Sequence, residues 1–392
     1  MIDMQKTQDE TFMRQALALA KKGEGSVEPN PMVGCVIVQN SQIVGQGYHT
    51  QYGQAHAEIE AIRSSSLDLT GATCYVNLEP CSHYGKTPPC TDAIIRSGIR
   101  RVVIAMTDPN PNVNGKGIAL LKQAGIVITE HILESEARRL NAPYLTLHQK
   151  NRPWVHAKWA MTLDGKLAAK SYDSQWISGE EARLLVHRLR SRMDGILVGA
   201  GTAMRDDPRL TVRLPETLNG APQSALGRKI PCRVVLDSAG MLPVESRLVQ
   251  SAREFPVLIV TETQDLPKCR QWEQHGCEIL HWSRREGFVH RLLEQFAAKK
   301  WTHLLVEGGR HVFGSFFDAQ SIDEVHAFIA PKLLGGESAI PVFGGQGLDK
   351  MSQSVLLDAS AVQCVGQDVY IQGRVDWGRA AEGQNSSPEH QP

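Results

Sequence analysis

Short apolar runs rich in β-branched residues alternate with amphipathic helical stretches along this 392-residue chain, and the alternation restarts after a polar, proline-bearing junction at residues 149–153. A chain patterned this way is committed to helices layered on a largely parallel sheet, here twice over. In the first series an opening helix places Met13, Ala16, Leu17 and Ala20 on one face, and residues 33–38 and 43–48 read as paired strands. A helix from near His56, a strand at 73–77, a helix from about Cys90 ended by Gly98 and a strand at 101–106 follow. A helix at 116–123 stopped by Gly125, and a strand at 126–128, complete the series. The second series has strands at 154–160, 196–198, 234–236, 257–260 and 303–306. Ser178 and Glu181 stand at capping-box spacing before a helix whose apolar face is Ala182, Leu185, Val186, Leu189 and Met193. The expectation is an α/β protein with domains at 1–150 and 151–373, a long surface loop at 214–229 and a tail at 374–392. Residues 379–392 of that tail lack large apolar side chains and read as disordered.

Composition narrows the function classes. Lysine plus arginine (42) balances aspartate plus glutamate (42), which argues against a strongly basic nucleic-acid binder. Apolar stretches such as 102–106 and 257–260 fall far short of the ~18 residues of a membrane span. The polar first ten residues show no secretory signal, so the cytoplasm is the expected location. Eight cysteines are too sparse for a disulfide scaffold and are left for the core, a metal or catalysis.

One cysteine pair has company. His56-Ala57-Glu58 precedes Glu79-Pro80-Cys81, and Pro88-Pro89-Cys90 follows. One imidazole and two thiolates make a good zinc set with a fourth position left for water. His56 and Cys90 each open a helix, where the positive end of the helix dipole favours the thiolate form. Glu58 then stands within reach of the water as a proton shuttle, which hydrolysis of a ring C–NH2 requires. The order is that of zinc nucleobase deaminases. Eight residues separate Cys81 from Cys90, however, where the common form has two. A structural zinc site would need a fourth ligand, for which Cys74 or His83 is available; plain core cysteines are the other alternative. Cys35 and Cys74, within strands, read as core residues.

The segments HAE, EPCSHYGKTPPC and DPNPNVNGKG together resemble the N-terminal half of the bacterial bifunctional riboflavin biosynthesis proteins, the pyrimidine deaminase/reductases. The resemblance implies a cytidine-deaminase-like fold acting on a free diaminopyrimidine ribosylamine phosphate, with Asn30, His49, Lys86, Asp108 and Asn110 contacting substrate.

The second half lacks the G-x-G-x-x-G dinucleotide fingerprint. The strand at 303–306 instead runs into Glu307-Gly308-Gly309-Arg310 and a helix from near His311, a junction that presents backbone N–H groups to an anion. Gly199-Ala200-Gly201-Thr202 is a second such cluster. KWAMTLDGK, SQWISGEEA, GAGTAMRDDPRLTVR and VEGGRHVFGSFF are similar, in that order, to the reductase half of the same family, extending the resemblance over residues 10–373. It implies a dihydrofolate-reductase-like fold using NADPH to convert ribosyl to ribityl. Ala160, Trp176, Thr202, Asp206, Ser238 and Gly309 would bind cofactor, and Ser174, Arg190, Leu210, Arg213 and Glu307 substrate. Arg190 and Arg213 suit a substrate phosphate. Lys158, Asp207 and Glu307 are candidate proton donors. The resemblance also implies a homodimer or homotetramer with no nucleic-acid or membrane partner. Two readings compete: an RNA-editing zinc deaminase whose second domain binds RNA, and a non-catalytic zinc scaffold.

Overall fold

Asn40 and Ser41, both at positive φ (50° and 62°), turn the chain between β1 (Gly34–Gln39) and β2 (Gln42–Tyr48). Two residues in this conformation match the twist of an antiparallel pair. β1 also pairs antiparallel with β3 (Thr73–Val76), whereas β3, β4 (Arg101–Ile104) and β5 (Val127–Thr129) are parallel. The order β2-β1-β3-β4-β5 is therefore mixed, not largely parallel as the alternation alone suggested. The structure, a computed structural model, describes residues 2–84, 88–111, 113–214, 217–218, 221–222, 230–283 and 285–378. It divides into two compact units, Met1–Asn151 and Arg152–Pro392.

In the first unit α1 (Ile2–Ala20), α5 (Glu134–Leu140) and α6 (Ala142–Lys150) pack on one sheet face with Val36, Tyr75 and Val103. Met13, Ala16 and Ala20 of α1 are wholly buried, as their helical spacing requires. The other face, with Cys35, Cys74 and Ile104, carries α2 (Ala57–Ser64), α3 (Cys90–Arg96) and α4 (Lys116–Gln123). Alternate strand residues thus feed two cores, giving an α/β sandwich. Arg101 of β4 fixes α1 by donating to both carboxylate oxygens of Asp9, at 2.8 and 2.6 Å.

The second unit is built on nine strands. They are β6 (Trp154–Thr162), β8 (Gly195–Gly199), β11 (Cys232–Leu236), β12 (Val257–Thr261), β13 (Glu278–His281), β14 (His303–Gly308), β15 (Glu324–Ala330), β17 (Leu356–Val365) and β18 (Asp368–Asp376), in the order β13-β12-β11-β8-β14-β6-β15-β18-β17. The first seven in that order are parallel and the last two antiparallel. Short ribbons pair β7 (Lys166–Ala168) with β16 (Ile340–Pro341) and β9 (Thr217–Leu218) with β10 (Ala221–Pro222). α11 (Phe288–Ala298) and α12 (Arg310–Asp318) cover the face carrying Val155, Leu197 and Val306. α9 (Arg247–Gln250), α10 (Leu266–Gln274) and α7 (Glu180–Arg190) lie over the opposite face, and α8 (Ala200–Asp206) follows β8 directly.

The expected capping box on α7 does not form. Its N-cap is Gly179, whose N–H donates to Asp368 Oδ2 at 2.7 Å, so a distant carboxylate serves the helix start instead of Ser178. Met193 is buried but lies past the last turn. Most of the loop at 214–229, the tail at 379–392 and Lys86 lie outside the described residues. Among the described residues no helix is long and apolar enough to cross a membrane.

Candidate active sites

His56 is the extended N-cap of α2, and Cys90 is the first residue of α3, placed there by Pro89 in an extended conformation. His56 Nδ1 lies 3.4 Å from Cys81 Sγ and 3.3 Å from Cys90 Sγ. Tetrahedral zinc with one nitrogen and two sulfur ligands separates N from S by about 3.5 Å, so the donor set fits this ion. Neither alternative fourth ligand joins it. Cys74 Sγ instead lies 3.4 Å from Cys35 Sγ, and His83 is exposed. Hydrogen bonding from Cys90 and His56 pulls the Cys81 thiol well below its ordinary value, and the Cys90 thiol is correspondingly pushed up.

Glu58, the second residue of α2, is buried, and among the described residues its Oε2 has no hydrogen-bond partner. Burial raises its carboxyl to about 7, against the lowering effect of His56. A buried, unpartnered carboxyl oxygen costs free energy that a purely structural site would not retain.

Residues from distant loops surround this centre. Asn30 Nδ2 is 3.2 Å from His49 Nε2, while His49 Nδ1 is 3.0 Å from the Ala55 carbonyl, and the His49 and His56 rings meet edge-on at 5.5 Å. Asp108 Oδ1 accepts from Tyr144 Oη at 2.8 Å and from the Asn110 N–H at 2.9 Å. Burial lifts the Asp108 carboxyl to about 6. Glu79, adjacent to the Pro80-Cys81 step, accepts from the N–H groups of Asp108, Gly115, Gly117 and Ile118 and so ties the 108–118 loop to the cysteine segment. Gly117 permits this approach, since a Cβ there would sit 2.1 Å from the Pro80 carbonyl oxygen.

The second unit holds a cleft of about 720 Å³ at the carboxyl ends of β6, β8 and β14. Ala160, Ser174, Trp176, Arg190, Thr202, Asp206, Leu210, Arg213, Glu307 and Gly309 all line it; Ser238 does not. Gly308 and Gly309 leave room beside Thr202: added Cβ atoms would lie 3.3 and 3.2 Å from its side chain. This bare junction, leading into α12, fits an extended phosphate-bearing cofactor.

Charge in the cleft is paired differently from the sequence expectation. Arg190 donates to both Glu307 oxygens, at 2.5 and 2.7 Å, and both side chains are nearly buried. Lys158 Nζ is 3.8 Å from Glu307 Oε2. Burial would raise the Glu307 carboxyl, but Arg190 and Lys158 hold it down to about 2. Burial lowers Lys158 from its ordinary value. Asp207 is drawn to Arg247, accepting from its backbone N–H at 2.8 Å. Arg213 is exposed, its backbone N–H donating to His187 Nδ1 at 3.2 Å. Fully buried Arg233, which sequence patterning did not mark, donates to the Arg209 carbonyl and to carbonyls around 248–255, supporting the loop that carries Leu210. Tyr144 and Arg233 gave no sequence signal, and Glu79 stood out only as part of the Glu79-Pro80-Cys81 segment, because the roles of all three depend on partners brought together only by the fold.

Comparison with known proteins finds relatives for both units. A family described as the cytidine and deoxycytidylate deaminase zinc-binding region matches residues 6–106, and one described as the RibD C-terminal domain matches residues 153–371. The riboflavin biosynthesis protein RibD of Actinobacillus pleuropneumoniae is 40% identical over 365 residues, 93% of this chain and 94% of that one. Among solved structures, RibD of Acinetobacter baumannii superposes with a TM-score of 0.83 at 34% identity, covering 95% of this chain and 99% of that one. A diaminohydroxyphosphoribosylaminopyrimidine deaminase/5-amino-6-(5-phosphoribosylamino)uracil reductase from Thermotoga maritima does so with a TM-score of 0.78 at 37% identity, covering 95% of this chain and 100% of that one. With likeness of this extent running through both units, the chain belongs to the RibD family of riboflavin biosynthesis proteins.

Proposed function

We infer that this chain is a bifunctional riboflavin biosynthesis enzyme, a zinc-dependent pyrimidine deaminase over residues 1–150 joined to an NADPH-dependent reductase over residues 151–373. The observation that carries the first activity is the meeting of His56, Cys81 and Cys90 beside the unpartnered oxygen of buried Glu58. The substrate is a diaminopyrimidine ribosylamine 5′-phosphate. Zinc held by the three ligands supplies Lewis acidity and eases ionisation of the attacking water. Glu58 takes one proton of that water and delivers it to the ring nitrogen, then takes the second from the newly added hydroxyl and passes it to the departing amine; a C–O bond forms and becomes the carbonyl, the C–N bond breaks and ammonia leaves. Asn30, His49, Asp108 and Asn110 orient the pyrimidine and sugar, and Lys86 serves the phosphate.

NADPH supplies the hydride of the second step when bound. Ala160, Trp176, Thr202, Asp206 and Gly309 hold this cofactor, with Ser238 assigned by family resemblance. Ser174, Leu210 and Arg213 hold the sugar phosphate. Arg190 and Glu307 form one rigid pair and act together on substrate. Because Glu307 is held ionised and Asp207 is engaged by Arg247, Lys158 is the proton donor that the geometry favours.

Charge balance and the match of the second unit to a reductase family disfavour the RNA-editing reading. All eight cysteines are free, consistent with a cytoplasmic location, and the family resemblance favours a homodimer or homotetramer. The test is Cys81→Ser. Metal analysis is expected to show loss of one zinc equivalent and ammonia release to disappear, while reduction of supplied deaminated substrate continues. Unchanged zinc would remove Cys81 from the ligand set.

A further inference from the structure

Among the described residues one other group of side chains brings three metal-binding atoms within 4.8 Å of one another: His156 on β6 with Glu324 and His326 on β15. Glu324 pairs in register with His156, and strand alternation puts His326 on the same face two residues on. The group lies toward the amino-terminal ends of the parallel strands, whereas the cleft occupies their carboxyl ends. His156 and His326 are buried, and Glu324 is partly open to solvent. His156 Nδ1 is 3.1 Å from His326 Nε2 and 3.7 Å from Glu324 Oε2, and His326 Nε2 is 3.7 Å from Glu324 Oε1. Metal–ligand bonds of about 2.0–2.2 Å in a tetrahedral arrangement separate donors by about 3.3–3.5 Å, so the observed spacings bracket the requirement.

The surrounding side chains are arranged as an outer shell that orients ligands. His326 Nδ1 meets Tyr370 Oη at 2.7 Å, which fixes Nε2 as the atom free to ligate. Gln372 Nε2 and Trp154 Nε1 donate to the two Glu324 oxygens at 2.6 and 3.1 Å. His156 Nε2 meets His303 Nδ1 at 3.0 Å. Without metal, a proton on each Nδ1 satisfies the row His303, His156, His326. With metal, His156 and His303 shift their protons from Nδ1 to Nε2, which frees His156 Nδ1 and leaves the proton count unchanged.

We propose that His156, Glu324 and His326 form a second metal site, taking a divalent first-row transition ion such as zinc and tying β6 to β15. The proposal is independent of the deaminase reading. Arg192 and Arg374 are close enough to disfavour a dication, so this site is the weaker of the two and yields its ion to a chelator first.

Zinc and cobalt(II) titrations of the full chain, with metal counted after gel filtration, test the proposal. The unaltered chain is expected to hold two equivalents. A His156→Gln/His326→Gln chain should hold one and keep its ammonia-releasing activity. A Cys81→Ser/Cys90→Ser chain should also hold one, and its cobalt spectrum should show ligand-field bands without thiolate charge transfer. That second variant leaves the histidine network untouched, so the test survives if the histidine variant misfolds. One equivalent in the unaltered chain, or none in the cysteine variant, would overturn the proposal.

Discussion

At the scale of single residues, the two centres use carboxylates in opposite ways. Glu58 keeps an oxygen free in a buried setting, while Glu307 spends both oxygens on Arg190. Removing one partner of such a buried pair strands the other charge, so Glu307→Gln should cost about 3–5 kcal/mol in urea unfolding near neutral pH. The pH dependence has a definite sign. The folded-state value of Glu307 lies below the ordinary 4.5, at about 2, so its contribution is complete above 4.5 and is lost as pH falls toward 2. The stability gap between the unaltered chain and Glu307→Gln should therefore narrow across that window, and a gap constant with pH would contradict the assignment. Arg213, exposed and without such a pair among the described residues, is expected to carry the phosphate. Arg213→Ala should lower reductase kcat/KM roughly tenfold to a hundredfold for phosphorylated substrate, and much less for dephosphorylated substrate. Equal losses would remove it from the phosphate site. The His56, Cys81 and Cys90 grouping was legible because its chemistry is written in short local segments. The commitment of Arg190 to Glu307 was not, since the partners lie 117 positions apart and meet only across α7 and β14.

At the scale of elements, the close approach of α4 to the Pro80-Cys81 step links packing to chemistry. Glu79 accepts four backbone N–H groups, and Gly117 lets them come near. Gly117→Ala should force the two segments apart, lower stability by about 1–3 kcal/mol, and reduce ammonia release while leaving reduction of deaminated substrate intact. Thermal unfolding together with the two separate assays checks this; unchanged ammonia release would mean that the cysteine segment does not depend on α4. Six helices (α1 to α4, α7 and α12) and most central strands follow from the sequence pattern, with α4 over the residues expected, whereas α5, α6 and α8 to α11 do not stand out in it. β13, β15, β17 and β18 do not stand out in the sequence. In β15 Glu324 and His326, turned into a polar network, interrupt an otherwise buried apolar run, and β17 is an edge strand with exposed Leu356 and Val362 that lacks the apolar signature of the central strands. The start of α7 misled for a related reason, because its cap comes from Asp368 in β18.

At the scale of the whole molecule, each unit has its own sheet and cores, and each carries one of the two proposed sites. The two activities should then be separable by a single substitution, and Glu58→Gln is the most direct choice because it leaves the three zinc ligands in place. Ammonia release and NADPH absorbance should be followed together in the full chain supplied with zinc, NADPH and the diaminopyrimidine ribosylamine phosphate. The unaltered chain is expected to release ammonia and oxidise NADPH. Glu58→Gln should retain zinc and lose both signals by about a hundredfold or more, yet oxidise NADPH normally when given deaminated substrate. Ammonia release at the unaltered rate by Glu58→Gln, or failure of the zinc-loaded unaltered chain to deaminate, would contradict the account.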